Sequence, residues 1–201
     1  MGGRIRWLRT DKVYELTVRT VDRQFLFKPN HHQKNPLLEQ SCPLDALALN
    51  NDIIPIPSII NIVGASVGRA LKKHPIRIHW VEVNITHIHI GFSFDREQMD
   101  NVVPFFQHAM SLIARGVNRT WDREGHVFGS RSRIHPCVDE GSAEKQLLYS
   151  LTNPVKDGLV ESVTGSPLFT TYHFQAEGKP LRFWYIDYDA YFTAGGNRKK
   201  S

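Results

Sequence analysis

The chain has 201 residues, 41% of them hydrophobic, which suits one compact domain with an appendage. Its formal net charge of +5 favours an anionic partner, and nucleic acid is the first candidate because phosphates are neutralised by Lys and Arg. The only cysteines, Cys42 and Cys137, show no CxxC or zinc-ribbon spacing, the opening MGGRIRWLRTDK is polar, and no apolar run approaches the roughly 20 residues that span a bilayer, so a soluble, reduced, cytoplasmic protein is expected.

The β-branched and aromatic content of KVYELTVRTVDRQFLF predicts a strand or hairpin, with Val13, Leu16, Val18 and Val21 in imperfect alternation. From Lys28 to Asn51 the chain turns polar and proline-rich and predicts a long loop, with one short helix around Asp45 to Leu49. Ser58 can cap a helix whose stripe is Ile59, Ile60, Ile62, Val63, Val67, Ala70 and Leu71, ending in Lys72, Lys73 and His74 beside Pro75.

Two alternating patterns in opposite phase follow in PIRIHWVEVNITHIHIGFSF. Val81, Val83 and Ile85 are apolar at odd positions, but Ile88, Ile90, Phe92 and Phe94 at even ones. A period of two cannot change phase inside a regular strand, so a turn or bulge near Asn84 to Thr86 and two antiparallel strands are expected.

Asp100 to Trp121 carries Val102, Phe105, Phe106, Ala109, Met110, Leu112, Ile113 and Val117 at helical spacing, and DREGHVFGSRSRIHP then reads as an exposed basic loop or short hairpin. Asp139 or Ser142 caps a short helix, SAEKQLLYSLT, expected to stop at Asn153 because Pro154 disfavours helical geometry in the residue before it. The first domain is set at 1–164. Residues 165–201 form an aromatic-rich extension with a basic end, GGNRKKS, expected to pack as strands or an edge.

Residues two apart in a strand share a face, so His87 and His89 point together, away from the face of Ile88, Ile90 and Phe92, and both imidazoles can reach one ion. A solvated sheet face or a polar hydrogen-bonded layer is the plainer reading of such a pair taken alone. On the third helix, about 100° per residue puts Ala143, Leu147, Leu148 and Leu151 on one stripe, with Tyr149 nearly opposite and Asn153 one turn on. Packing with its hydroxyl at the surface is the plain reading of such a tyrosine. A phenol ionises near pH 10 and attacks poorly at neutral pH unless a cation or base stabilises its oxyanion. A divalent ion held by two imidazoles and an amide oxygen would provide that, and phosphodiester attack fits these parts.

The HIH of His87 to His89 matches the His-hydrophobic-His signature of the HUH endonucleases, and LLYSLTNPVKDGLV closely resembles the tyrosine-helix signature of the REP-associated tyrosine transposases. VYELTVRTVDRQFLF is similar to that family's first strand and REGHVFGSRSR to its arginine-bearing loop, so the resemblance runs from about Val13 to Val160. It implies an α+β fold, a ferredoxin-like or RRM-like antiparallel sheet with helices packed on one face and the histidines on a central strand facing the tyrosine helix.

By motif position the resemblance implies His87, His89 and Asn153 as ligands of Mg²⁺ or Mn²⁺ and Tyr149 as the nucleophile. It implies cleavage and rejoining of single-stranded or hairpin DNA through a 5′-phosphotyrosine, in a nucleoid-associated protein that is a monomer or a homodimer. Arg131 and Arg133, in the loop before the tyrosine helix, lead the candidates for phosphate contact, with Lys72, Lys73, Arg115, Arg119 and Arg123 behind them. One departure stands at the histidines, where this chain has Ile85-Thr86 in place of the family's Pro-Asn. The competing readings are a DNA-binding protein of the same fold without productive transposition and a two-histidine phosphoesterase, which would need a second histidine motif that this chain lacks.

Overall fold

Alternation along the first strand, β1 (Val13–Arg19), sends Tyr14, Leu16 and Val18 into the core and leaves Glu15, Thr17 and Arg19 on the opposite face. The inward set therefore starts at Tyr14 rather than Val13. In the computed structural model, which describes residues 8–28, 53–54, 59–129, 132–163, 170–171, 178 and 180–183, the order continues as β2 (Ile53–Ile54), α1 (Ile59–Lys73), β3 (Arg77–Asn84) and β4 (His87–Ser93). Then come α2 (Val102–Thr120), β5 (Arg133–Cys137), α3 (Glu140–Lys156) and β6 (Arg182–Phe183).

Four strands form one sheet in the order β3-β4-β1-β5, every pair antiparallel. With α1 and α2 as crossovers this is the ferredoxin-like split βαβ arrangement. The phase break resolves as a turn. Asn84 ends β3 opposite His87, the first residue of β4, and Ile85 and Thr86 connect them. Helices α1 and α2 cover one face, where Val63, Val67, Ala70, Phe105, Ala109 and Ile113 join Leu16, Val18, Ile88, Ile90 and Phe92 in the buried core.

Helix α3 lies on the other face and differs from expectation in two ways. Asp139 does cap it, accepting from the Ser142 N–H at 2.7 Å while Ser142 completes a capping box, but the helix runs through Pro154 to Lys156. A proline in the last turn removes a single bond to the carbonyl four residues back, and the chain closes behind it through Asp157 N–H to Asn153 O at 2.9 Å. Its buried side is Ser150, Leu151, Asn153 and Pro154, whereas Leu148 is exposed. Docking on a polar sheet face draws Ser150 and Asn153 inward together with Leu151 and Pro154.

The expected loop after α2 ends in β5, an edge strand that tolerates Pro136. Thr171 N–H donates to Val81 O at 3.1 Å, Val81 N–H donates to Thr171 Oγ1 at 2.8 Å, and β6 pairs in parallel with β2. The helix expected at Asp45 to Leu49, the Ser58 cap, Arg131 and most of the aromatic extension lie outside the described residues. No helix among the described residues is long and apolar enough to cross a membrane.

Gly91 of β4 lies beneath the buried Trp80 indole, and a Cβ there would fall inside the ring. Gly91→Ala is expected to cost about 1–3 kcal/mol of stability through overpacking, read as a lowered midpoint in urea denaturation.

Candidate active site

Strand register gathers the polar side chains. Thr17 pairs with His89 and Arg19 with His87 across β1 and β4, while Glu82 and Asn84 of β3 flank the same two histidines from the other side. On the far edge Arg133 pairs with Thr17, so its exposed guanidinium belongs to this face as well. Both histidines are buried, with ring centroids 4.8 Å apart.

Each ring has a distinct hydrogen-bond partner. His89 Nδ1–H donates to Glu15 Oε1 at 2.8 Å, and since a carboxylate only accepts, Nδ1 carries the proton and Nε2 presents its lone pair. The Asn153 amide nitrogen reaches that Nε2 at 3.3 Å. Thr86 Oγ1 lies 3.0 Å from His87 Nδ1, so the residue that departs from the family pattern still contacts the first histidine. Burial first, then the charges of His89 and Arg19, push the His87 imidazole down to about 4, which leaves it neutral and able to ligate at pH 7.

Tyr149 is 49% exposed, and its ring meets His89 edge-on at 6.5 Å between centroids. Lys156 Nζ stands 4.8 Å from the Tyr149 ring centre. The structure thus brings together His87, His89, Asn153 and Tyr149. Of the basic candidates, Arg133 shares their face. Lys72, Lys73, Arg115 and Arg119 sit on α1 and α2 in the other layer, and Arg123 is engaged with Asn118 Oδ1 at 2.8 Å and the His126 carbonyl.

Three contributors are not apparent from the sequence. Glu15 is 1% exposed and lies under the site; Arg19 adjoins His87; and Glu82 sits beside His89, accepting from the Thr170 hydroxyl at 2.7 Å. A Glu-x-Thr-x-Arg alternation opposite Tyr14, Leu16 and Val18 was the available signal, but nothing in it says that β1 lies beside β4. Among the described residues, no cluster of three or more His, Cys, Asp or Glu is arranged to hold a metal. Two imidazoles, of which His89 presents its Nε2 lone pair, and an amide are nevertheless a donor set that fits a divalent cation, the amide oxygen being the atom such a cation would require.

No protein-family model matches the chain, and no curated protein matches it. Among solved structures it is similar to a REP-associated tyrosine transposase bound to a REP hairpin, at 17% identity and a TM-score of 0.53 over the whole of both chains. A candidate transposase of Deinococcus radiodurans R1 is similar at 11% identity and a TM-score of 0.40, over 74% of this chain and 95% of that one. The first likeness shows that the chain has the fold of that REP-associated transposase.

Burial pushes the Glu82 carboxyl up to about 8, so it is neutral at pH 7. A carboxyl raised in the folded state stabilises below its unfolded value near 4.5 and loses that contribution as pH climbs through 8. Glu82→Gln is therefore expected to flatten the stability profile between pH 5 and 8.5 and to raise stability at the alkaline end by on the order of a few kcal/mol, measured by denaturation across that range.

Proposed function

We propose that this protein is a metal-dependent single-stranded DNA endonuclease and transposase that cleaves and rejoins DNA through a tyrosine. The observation that carries the reading is the convergence of His87 and His89 from β4 with Asn153 and Tyr149 from α3. The transposase of like fold is bound to a REP hairpin, which supports a hairpin DNA partner for this chain.

His87, His89 and Asn153 would hold Mg²⁺ or Mn²⁺, which when bound supplies charge neutralisation at a phosphate and favours a nearby phenolate. Tyr149 attacks from the exposed side of α3, where a strand crossing the sheet can reach it. Its Oη forms a bond to phosphorus, the bond to the 3′-oxygen breaks, and the released 3′-hydroxyl takes up a proton while the phenol proton passes to solvent. The product is a 5′-phosphotyrosine that keeps the energy of the broken ester, so attack by another 3′-hydroxyl rejoins DNA.

Arg19 and Arg133 flank the histidines with guanidiniums suited to bidentate phosphate contact, and Lys156 adds a cation beside the tyrosine ring. On α1, Lys72 and Lys73 extend positive charge to the opposite layer, where Arg119 of α2 also lies, and they would serve duplex backbone away from the cleavage point.

Tyr149→Phe is expected to abolish a covalent protein-DNA adduct on denaturing gels with hairpin-bearing single-stranded substrates in Mg²⁺ or Mn²⁺, and EDTA is expected to abolish it for the unmodified protein. An adduct of undiminished yield from Tyr149→Phe would remove the tyrosine from its role. Stoichiometric hairpin binding without any adduct in either metal would select a DNA-binding protein of the same fold.

A further inference from the structure

Glu15 is a buried carboxylate whose two oxygens are shared between two parts of the site. Its Oε1 accepts from His89 Nδ1–H at 2.8 Å, from the Gln146 amide at 2.8 Å and from the Thr17 hydroxyl at 3.2 Å, and its Oε2 accepts from the Ser150 hydroxyl at 2.9 Å. Gln146 and Ser150 are one turn apart on α3, and Ser150 follows Tyr149 directly, at the start of the turn that carries Asn153. One buried carboxylate thus holds one histidine by its inner nitrogen and the tyrosine helix by two side chains.

We infer that Glu15 is a positioning residue that sets the His89 tautomer and, through Gln146 and Ser150, fixes where α3 presents Tyr149 and Asn153 to the histidine pair. The inference deepens the proposed reaction and rests on it for the roles of Tyr149 and the ligands. The chemistry follows from the acceptor count. An ionised carboxylate presents acceptors alone, so the donors converging on Glu15 are all met when His89 keeps its proton on Nδ1 and turns Nε2 outward.

A glutamine at this position keeps the volume and one acceptor oxygen but turns an NH₂ donor toward one of the existing donors, so the arrangement cannot be completed. In the full-length, metal-free protein with isotope-labelled histidine, imidazole nitrogen shifts are expected to report the Nδ1–H tautomer at His89 and a mixture in Glu15→Gln. Calorimetric titration with Mn²⁺ alone is expected to show affinity about 10- to 100-fold weaker in Glu15→Gln, with hairpin binding in EDTA unchanged. A folded Glu15→Gln with the original tautomer and Mn²⁺ affinity would overturn the inference.

Should Glu15→Gln fail to fold, Ser150→Ala cuts the helix arm alone. It is expected to leave the His89 tautomer intact and to slow single-turnover adduct formation about tenfold without changing DNA affinity, and an unchanged rate would overturn the helix arm. The reaction and the positioning role fail separately. If the unmodified protein forms no adduct yet Glu15→Gln loses tautomer and Mn²⁺ affinity, the reaction falls and the positioning role stands. If the protein is active and indifferent to Glu15→Gln, the reaction stands and the positioning role falls.

Discussion

Everything in this molecule depends on the antiparallel pairing of β1 with β4 in one register. Side chains alternate across a strand, so Leu16 against Ile90 and Val18 against Ile88 on the core side oblige Thr17 and Arg19 to stand beside His89 and His87 on the other. A slip of one residue would send both histidines into the hydrocarbon layer and the isoleucines into the site. The apolar core, which has no catalytic residue in it, is what holds the site in register.

The second face solves a different problem. It buries Glu15, Glu82, Asn84, His87 and His89 beside a helix that contributes Ser150 and Asn153, also buried. Apolar burial cannot drive that docking by itself, and α3 accordingly sinks Leu151 and Pro154 while leaving Leu148 and half of Tyr149 exposed. Directional hydrogen bonds take over the task. Removing one partner of a buried charge costs about 3–5 kcal/mol, so the Glu15 bonds to β4 and α3 make the placement of the tyrosine helix specific rather than merely adhesive.

Charge is divided between the layers to match. Helices α1 and α2 carry Arg69, Lys72, Lys73, Arg115 and Arg119 and not one carboxylate, whereas the two strand acids under the site, Glu15 and Glu82, are buried and either paired or protonated. A phosphate approaching the sheet therefore meets Arg19 and Arg133 at the surface with little opposing negative charge from the strands themselves.

The sequence by itself determined the periodic features: the amphipathic helices, the reversal of phase between Val83 and Ile88, the shared face of His87 and His89, and the turn between Tyr149 and Asn153. These depend on local geometry, which repeats every 2 or 3.6 residues whatever the rest of the chain does. Tertiary structure alone decided which strands are neighbours. It made Glu15 the partner of a histidine 74 residues away, set Arg19 beside His87, turned α3 so that Ser150 and Asn153 are buried while Leu148 is exposed, and carried that helix through Pro154. The reason is physical: a buried carboxylate or imidazole takes its meaning from donors and acceptors that arrive from distant segments, and no local period encodes which of them will.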